Sequence, residues 1–267
     1  MRKFLPIFIL LLAFMTGLSL SSNATAEEEG KIEEILLFHS DIVVHKDASM
    51  TVRETIKVRA LGEKIKRGIY RDFPTKYKDR LGNRYTVGFE VKEVLRDGKP
   101  EPWHTDNISN GIRIYIGEKS VFIPSGEYTY TIAYNTNRQL GFFKDFDELY
   151  WNVTGNGWEF QIEKASASIE LPDDASGKII SSAGYTGPQG STEENYTMRT
   201  DKSGIIHFEA TTSLNPFEGL TIAVSWPKRY VTEPDARTKM RYFISDNMGT
   251  MRLSQNDFQF EHVIYCL

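Results

Sequence analysis

The chain has 267 residues with 32 Lys and Arg against 36 Asp and Glu, a formal net charge of −4. That acidity excludes the cation surplus on which nucleic-acid binding draws, while the length suffices for one large or two small domains with a real core. Cys266 is the one cysteine, which excludes an intrachain disulfide, a cysteine-based zinc site and a thiol centre with a resolving partner.

Arg2 and Lys3 form a basic head, a dense apolar run follows from Phe4 to Phe14 with a break at Pro6, and Ala24-Thr25-Ala26 precedes Glu27-Glu28-Glu29. Those are the three parts of a secretory signal peptide over residues 1–26. The rival reading, an uncleaved anchor extending through Met15 to Leu20, has a run short of the roughly 20 apolar residues of a span. No cysteine near the cut supports a lipoprotein anchor. Removing Arg2 and Lys3 with the peptide leaves 241 residues carrying 30 cations against 36 acids, a net charge of −6. The chain is therefore expected to be exported and extracytoplasmic, where disulfides are permitted without being required.

Short alternating runs follow in chain order. Ile42-Val43-Val44 leads through the turn residues Lys46-Asp47-Ala48-Ser49 into Thr51-Val52-Arg53-Glu54-Thr55-Ile56-Lys57-Val58, a hairpin signature. Alternation recurs over residues 87–94, 112–116, 128–134, 166–171, 205–210 and 220–226. Period two buries one face of each strand and wets the other. Repeated runs of this kind, punctuated by Gly and Pro, predict an all-β chain with one or two packed antiparallel β-sandwich units. A boundary is expected near residues 158–164, giving a first unit over 27–160 with a long basic loop at 61–84 and a smaller β unit over 161–232. Residues 233–267 are read as a juxtamembrane-like or disordered tail. Glu233-Pro234-Asp235 could start a short helix there, and residues 249–267 hold no long apolar run.

Two strings are distinctive, Arg67-Gly68-Ile69-Tyr70-Arg71-Asp72-Phe73-Pro74 and the segment from Asp147-Glu148-Leu149-Tyr150-Trp151 to Trp158, with a Gly219-Leu220-Thr221 strand later running to Pro227. In this order, behind an opening segment with Asp47 and the Val52-Arg53-Glu54 strand, they resemble the N-terminal domain of the DUF2207 family of predicted bacterial membrane proteins over about residues 32–245. The resemblance implies an extracytoplasmic β domain followed by membrane spans, and it supplies no catalytic residue. No span follows Tyr242-Phe243-Ile244-Ser245-Asp246-Asn247 here, so the expectation is either a truncated or frameshifted membrane protein or a secreted variant.

Histidines 39, 45, 104, 207 and 262 form no metal-binding spacing, and no G-x-S-x-G, Walker-type or Rossmann glycine pattern occurs. No metal or cofactor is therefore expected, and nothing identifies an enzyme. The nearest to an enzymatic lead is Asp145, Asp147 and Glu148 beside Trp151 and Trp158, since paired carboxylates with an aromatic platform suit carbohydrate chemistry and hard oxygen ligands suit Ca²⁺. Against it, the alternation from Glu148 to Val153 makes Leu149, Trp151 and Val153 core and leaves the acids in a preceding turn. Between Lys57 and Arg84 ten cations stand against Glu63, Asp72 and Asp79. Arg67 and Arg71 are expected to pair internally, with acids such as Asp147 and Glu148. Lys76, Lys78, Arg80 and Arg84 form the candidate contact to an anionic membrane surface or cell-wall polymer. The expected role is a non-catalytic sensing or interaction module, with a carbohydrate-active or carbohydrate-binding protein as the alternative. Another membrane protein, a second copy of this chain included, is a further candidate partner. Three N-x-S/T matches, at Asn107, Asn152 and Asn195, carry no weight.

Overall fold

A computed structural model describes residues 30–79 and 81–253. The expected signal peptide lies outside the described residues. After it come β1 (Glu34–Val44), β2 (Ser49–Ala60), β3 (Ile69–Pro74), β4 (Lys76–Lys78) and β5 (Arg84–Thr86). Next are β6 (Phe89–Arg96), β7 (Lys99–Pro100), β8 (Trp103–Ile108), β9 (Gly111–Ile116), β10 (Gly126–Asn137), β11 (Leu140–Phe142) and β12 (Phe146–Asn152). The chain continues through β13 (Ala165–Glu170), β14 (Ser181–Gly187), β15 (Tyr196–Thr200), β16 (Ile206–Ala210) and β17 (Gly219–Pro227) to α1 (Ala236–Leu253). Each alternating run becomes a strand, and the fold is all-β as expected. No described helix is long and apolar enough to cross a membrane.

The described residues from Glu33 onward form one compact unit. Its largest sheet has the order β15-β16-β13-β1-β2-β10-β6-β7, beside a four-stranded sheet β11-β12-β17-β14, a three-stranded sheet β3-β9-β8 and the β4–β5 ribbon. Met50, Val52, Ile56 and Val58 of β2 and Tyr130, Ile132 and Tyr134 of β10 are buried on one face of the large sheet. That face meets the smaller sheets, with Phe73 of β3 against both Tyr134 and Trp151 and with Phe38 edge-on to Trp158. Its other face is wet and carries cross-strand pairs such as Arg53–Glu93 and Lys57–Glu127.

Three expectations need correction. The division near residue 160 does not separate two sets of sheets: β1 pairs with β13, in parallel, and β12 with β17. A strand pairs with whatever edge its hydrophobic face can reach, and here both partners come from beyond residue 160. Residues 61–84 are not one loop, since they contain β3, β4 and the start of β5. Of the alternatives for the tail, disorder does not hold over Ala236–Leu253, an 18-residue helix started by Asp235, whose Oδ1 accepts the Thr238 N–H at 2.7 Å. Residues 254–267 lie outside the described residues.

Candidate functional site

Both distinctive strings converge on one buried charge. In β3 alternation turns Arg71 and Phe73 inward and Tyr70 and Asp72 outward. Arg71 Nε and Nη2 each donate to Glu54 of β2 at 2.9 Å, and the Tyr134 hydroxyl donates to the same carboxylate at 2.9 Å. Burial opposes the guanidinium's charge, but the adjacent Glu54 carboxylate outweighs it and holds the Arg71 proton above the usual arginine range. A third Arg71 nitrogen, Nη1, donates to the Asp72 carbonyl at 2.9 Å. It sits so close to Gly155 that a Cβ there would lie 2.7 Å from it. The second string folds over this point as a clamped turn. Asn152 Oδ1 accepts the Gly155 N–H at 2.9 Å, Asn152 Nδ2 donates to Asn156 at 2.6 Å, and Thr154 Oγ1 accepts the Leu220 N–H at 3.0 Å.

Around this turn opens a cleft of about 1060 Å³. Its floor is the outward face of the four-stranded sheet, with Glu148, Tyr150 and Asn152 of β12, Thr221 of β17 and Tyr185 of β14. Tyr70, Asp72 and Pro74, with Tyr77 and Tyr85 of the β4–β5 ribbon, make one wall, and the Gly187–Ser191 turn makes another. Five tyrosines (70, 77, 85, 150, 185) and five amide side chains (Asn110, Gln139, Asn152, Asn156, Gln189) line it. Its charged groups are largely neutralised from behind. Asp72 receives a bidentate pair of bonds from Arg113 at 2.6 and 2.7 Å, and Arg138 donates to Asp246 at 2.6 Å.

The acidic cluster expected from the sequence divides between two sides of a strand. Asp147 and Glu148 lie within β12, not in a preceding turn, and successive side chains of a strand face opposite ways. Asp147 is wholly buried and accepts a bond from Lys228 Nζ at 2.7 Å, whereas Glu148 faces the cleft and accepts from Ser225 Oγ at 2.9 Å. Asp145 is exposed in the turn before β12, so the three acids form no common site. Trp151 and Trp158 touch the cleft but are buried as core, Trp158 Nε1 donating to the Thr154 carbonyl at 2.9 Å. The most exposed aromatic side chain of the cleft is Tyr150, at 60%. Arg71 pairs with Glu54, not with Asp147 or Glu148, and Arg67 lies over the Phe122 ring at 4.0 Å.

Lys76, Lys78 and Arg84 come together on the β4–β5 ribbon, where Lys78 is paired in register with Arg84 and all three are exposed. Arg80 lies outside the described residues. The other face of the ribbon carries Tyr77 stacked on Tyr85 at 5.1 Å, turned to the cleft.

One constellation escapes any reading by sequence spacing. On the wet face of the large sheet, Ser168 Oγ lies 3.1 Å from His207 Nδ1, and His207 Nε2 lies 2.8 Å from Asp201 Oδ2. Beside it His39 joins Ser166 at 2.7 Å and Asp41 at 3.0 Å. These are Ser-His-Asp contacts without a hydrolytic setting. They lie on an open sheet surface, and β13 is flanked on both sides by ladder partners, so its backbone N–H groups are committed and not free to hold an oxyanion. Their signal is three-dimensional: His39 and His207 stand far apart in the chain and meet through the parallel β1–β13 pairing.

The model of the DUF2207 family, described as the N-terminal domain of a predicted membrane protein, matches residues 34–226. The uncharacterized protein YciQ of Escherichia coli (strain K12) is 33% identical over 234 residues, covering 86% of this chain and 36% of its own length. The chain thus spans about a third of that relative. Among solved structures, native leukotriene A4 hydrolase from Saccharomyces cerevisiae has a TM-score of 0.44 at 13% identity, over 72% of this chain and 29% of that one. An M1 zinc metallopeptidase mutant from Deinococcus radiodurans has a TM-score of 0.40 at 9% identity, over 71% and 42%. Likenesses this distant carry no argument about activity.

Proposed function

The chain belongs to the DUF2207 family of predicted membrane proteins, matching its N-terminal domain, and from that premise we propose that it is an extracytoplasmic, non-catalytic recognition module whose cleft holds an extended neutral glycan. The observation that carries this reading is the lining: five tyrosines and five amides around about 1060 Å³. A tyrosine face offers apolar area to the C–H face of a sugar, while its hydroxyl and the neighbouring amides exchange hydrogen bonds with sugar hydroxyls and N-acetyl groups. The cleft is of ligand-site size, and the pairing of Asp72 and Arg138 from behind leaves little net charge to favour an ion. Binding without turnover is the simpler reading, because Glu148 faces the cleft while Asp147 is buried behind it, so the two cannot work as acid and base on one bond. The basic head and A-x-A site at the N terminus support export.

Calorimetric titration of the full chain with glucose oligomers and with N-acetylglucosamine oligomers tests the proposal. Binding is expected to be insensitive to salt and to weaken about five- to tenfold in Tyr150→Ala, the loss of one aromatic platform being worth roughly 1 kcal/mol. Absence of binding to either neutral glycan, or affinity unchanged in both Tyr150→Ala and Tyr185→Ala, would refute it. Appearance of new reducing ends would refute its non-catalytic part.

A further inference from the structure

A second surface, independent of the cleft reading, lies where α1 meets the β4–β5 ribbon. The helix is fastened there by a side chain acting as a strand partner: Asn247 Oδ1 accepts the Arg84 N–H at 3.1 Å and Asn247 Nδ2 donates to the Arg84 carbonyl at 3.0 Å. Arg138 adds bonds to Asp246 and to the Thr86 carbonyl, both at 2.6 Å, and lies over the Tyr242 ring. Docking through residues 242, 246 and 247 leaves Met240, Ile244 and Met248, spaced by four, exposed on the helix. On the ribbon, the turn carries Leu81 at 85% exposure, the most exposed of the large apolar side chains described.

Around these apolar groups exposed cations outnumber exposed acids, Asp79 and Asp235 being among the latter. Lys76, Lys78, Arg84, Arg237 and Arg241 are exposed, and among the described residues none of them has a carboxylate within ion-pair distance. The nearby acids are turned to internal work. Asp79 accepts the Leu81 and Asn83 N–H groups at 2.8 Å each, Asp235 caps α1, Asp246 pairs with Arg138, and Glu233 pairs with Lys228 and Lys239. An apolar tip and an apolar helix stripe set among unpaired cations are the two ingredients of an interfacial contact, one entering the acyl boundary and the other meeting lipid phosphates.

We infer that the β4–β5 ribbon and α1 together dock on an anionic lipid bilayer, with Leu81, Met240, Ile244 and Met248 entering the interface and the five cations lying among the headgroups. Charge complementarity selects this occupant over a protein, and the family's description as a membrane protein supplies the bilayer. It would hold the domain in a defined orientation at the bilayer, with the Tyr77–Tyr85 face of the same ribbon turned to the cleft.

The test is local, so that the N-terminal apolar run cannot mimic the result. Leu81→Cys and Ile244→Cys, each in the full chain with Cys266→Ser, are labelled with a polarity-sensitive fluorophore. They are titrated with vesicles of phosphatidylcholine containing or lacking phosphatidylglycerol, and Val121→Cys serves as a surface control. Both labels are expected to shift to the blue with phosphatidylglycerol vesicles while the control does not. Adding Lys76→Glu, Lys78→Glu and Arg84→Glu is expected to raise the lipid concentration at half-shift by on the order of a hundredfold, and high salt to do likewise. No shift at positions 81 and 244, an equal shift with phosphatidylcholine alone, or indifference to the charge reversals would each overturn the inference.

Discussion

Glu54 occupies a place in β2 where the pattern demands an apolar side chain, between Val52 and Ile56 on the core face. It is tolerated because Arg71 and Tyr134 supply three hydrogen bonds to its carboxylate. Removing one partner of such a buried pair typically costs about 3–5 kcal/mol. Tyr134 carries a pH dependence whose sign follows from its site. Burial, and then the neighbouring Glu54 charge, push its hydroxyl well above the ordinary value of 10.0. The folded state therefore holds this proton more tightly than the unfolded chain. The associated stability is complete below about pH 10 and is lost as pH rises beyond it. Tyr134→Phe is expected to cost about 1–3 kcal/mol at neutral pH, the worth of a hydrogen bond to a charged group, and to make the alkaline decline shallower. Buried Tyr130, also raised by burial, keeps that decline from vanishing. Urea melts of both proteins between neutral pH and pH values above 10 measure it.

Between elements, the glycines of the two strings set how closely strands and turns approach. Gly68 has φ +130°, and a Cβ there would lie 1.9 Å from the Ile116 carbonyl oxygen, so β3 can pair with β9 in this register only without a side chain at that point. Gly155 combines φ +73° with the approach to Arg71 Nη1. Gly155→Ala is therefore expected to strain the clamped turn and to displace the guanidinium, destabilising the fold by about 2 kcal/mol or more. Thermal melts, with hydrogen exchange at Val153–Gly157 as the local probe, measure this; a melting temperature equal to that of the parent chain would show the turn to be freer than drawn. The buried members of the strings that carry the family likeness thus do structural work at the base of the cleft, while their outward residues Tyr70 and Tyr150, with Tyr185 and the ribbon tyrosines, furnish its open surface.

For the whole molecule, the pairing of β1 with β13 and of β12 with β17 ties segments on either side of residue 160 into shared sheets. Neither 27–160 nor 161–232 is expected to fold when expressed alone. Cutting there strips β1 of a neighbour and opens the four-stranded sheet between β12 and β17, exposing Leu149, Trp151, Ile222, Val224 and Trp226. Far-ultraviolet circular dichroism and cooperative melting test this, and a sharp transition in either fragment would restore the division at residue 160. Alternation showed which residues belong to strands and which side of each is dry, but no local pattern states that residue 38 will lie beside residue 165. The same limit hid α1: its apolar positions 240, 243, 244 and 248 follow helical spacing, yet the signal is short. Its anchor, Asn247 on Arg84, spans 163 residues.

What the sequence determined by itself is everything carried by neighbours in the chain. Period two set an all-β fold, Lys46-Asp47-Ala48-Ser49 set the first hairpin, and the two strings identified the family. Tertiary structure alone decided which strands share a sheet, that Asp147 is buried while Glu148 meets the cleft, and that His39 and His207 flank Ser168. The physical reason is that alternation fixes side-chain parity along one strand. Burial, ion pairing and the walls of a cleft depend on partners whose contacts are made across long loops, and those are chosen by the packing of the whole chain.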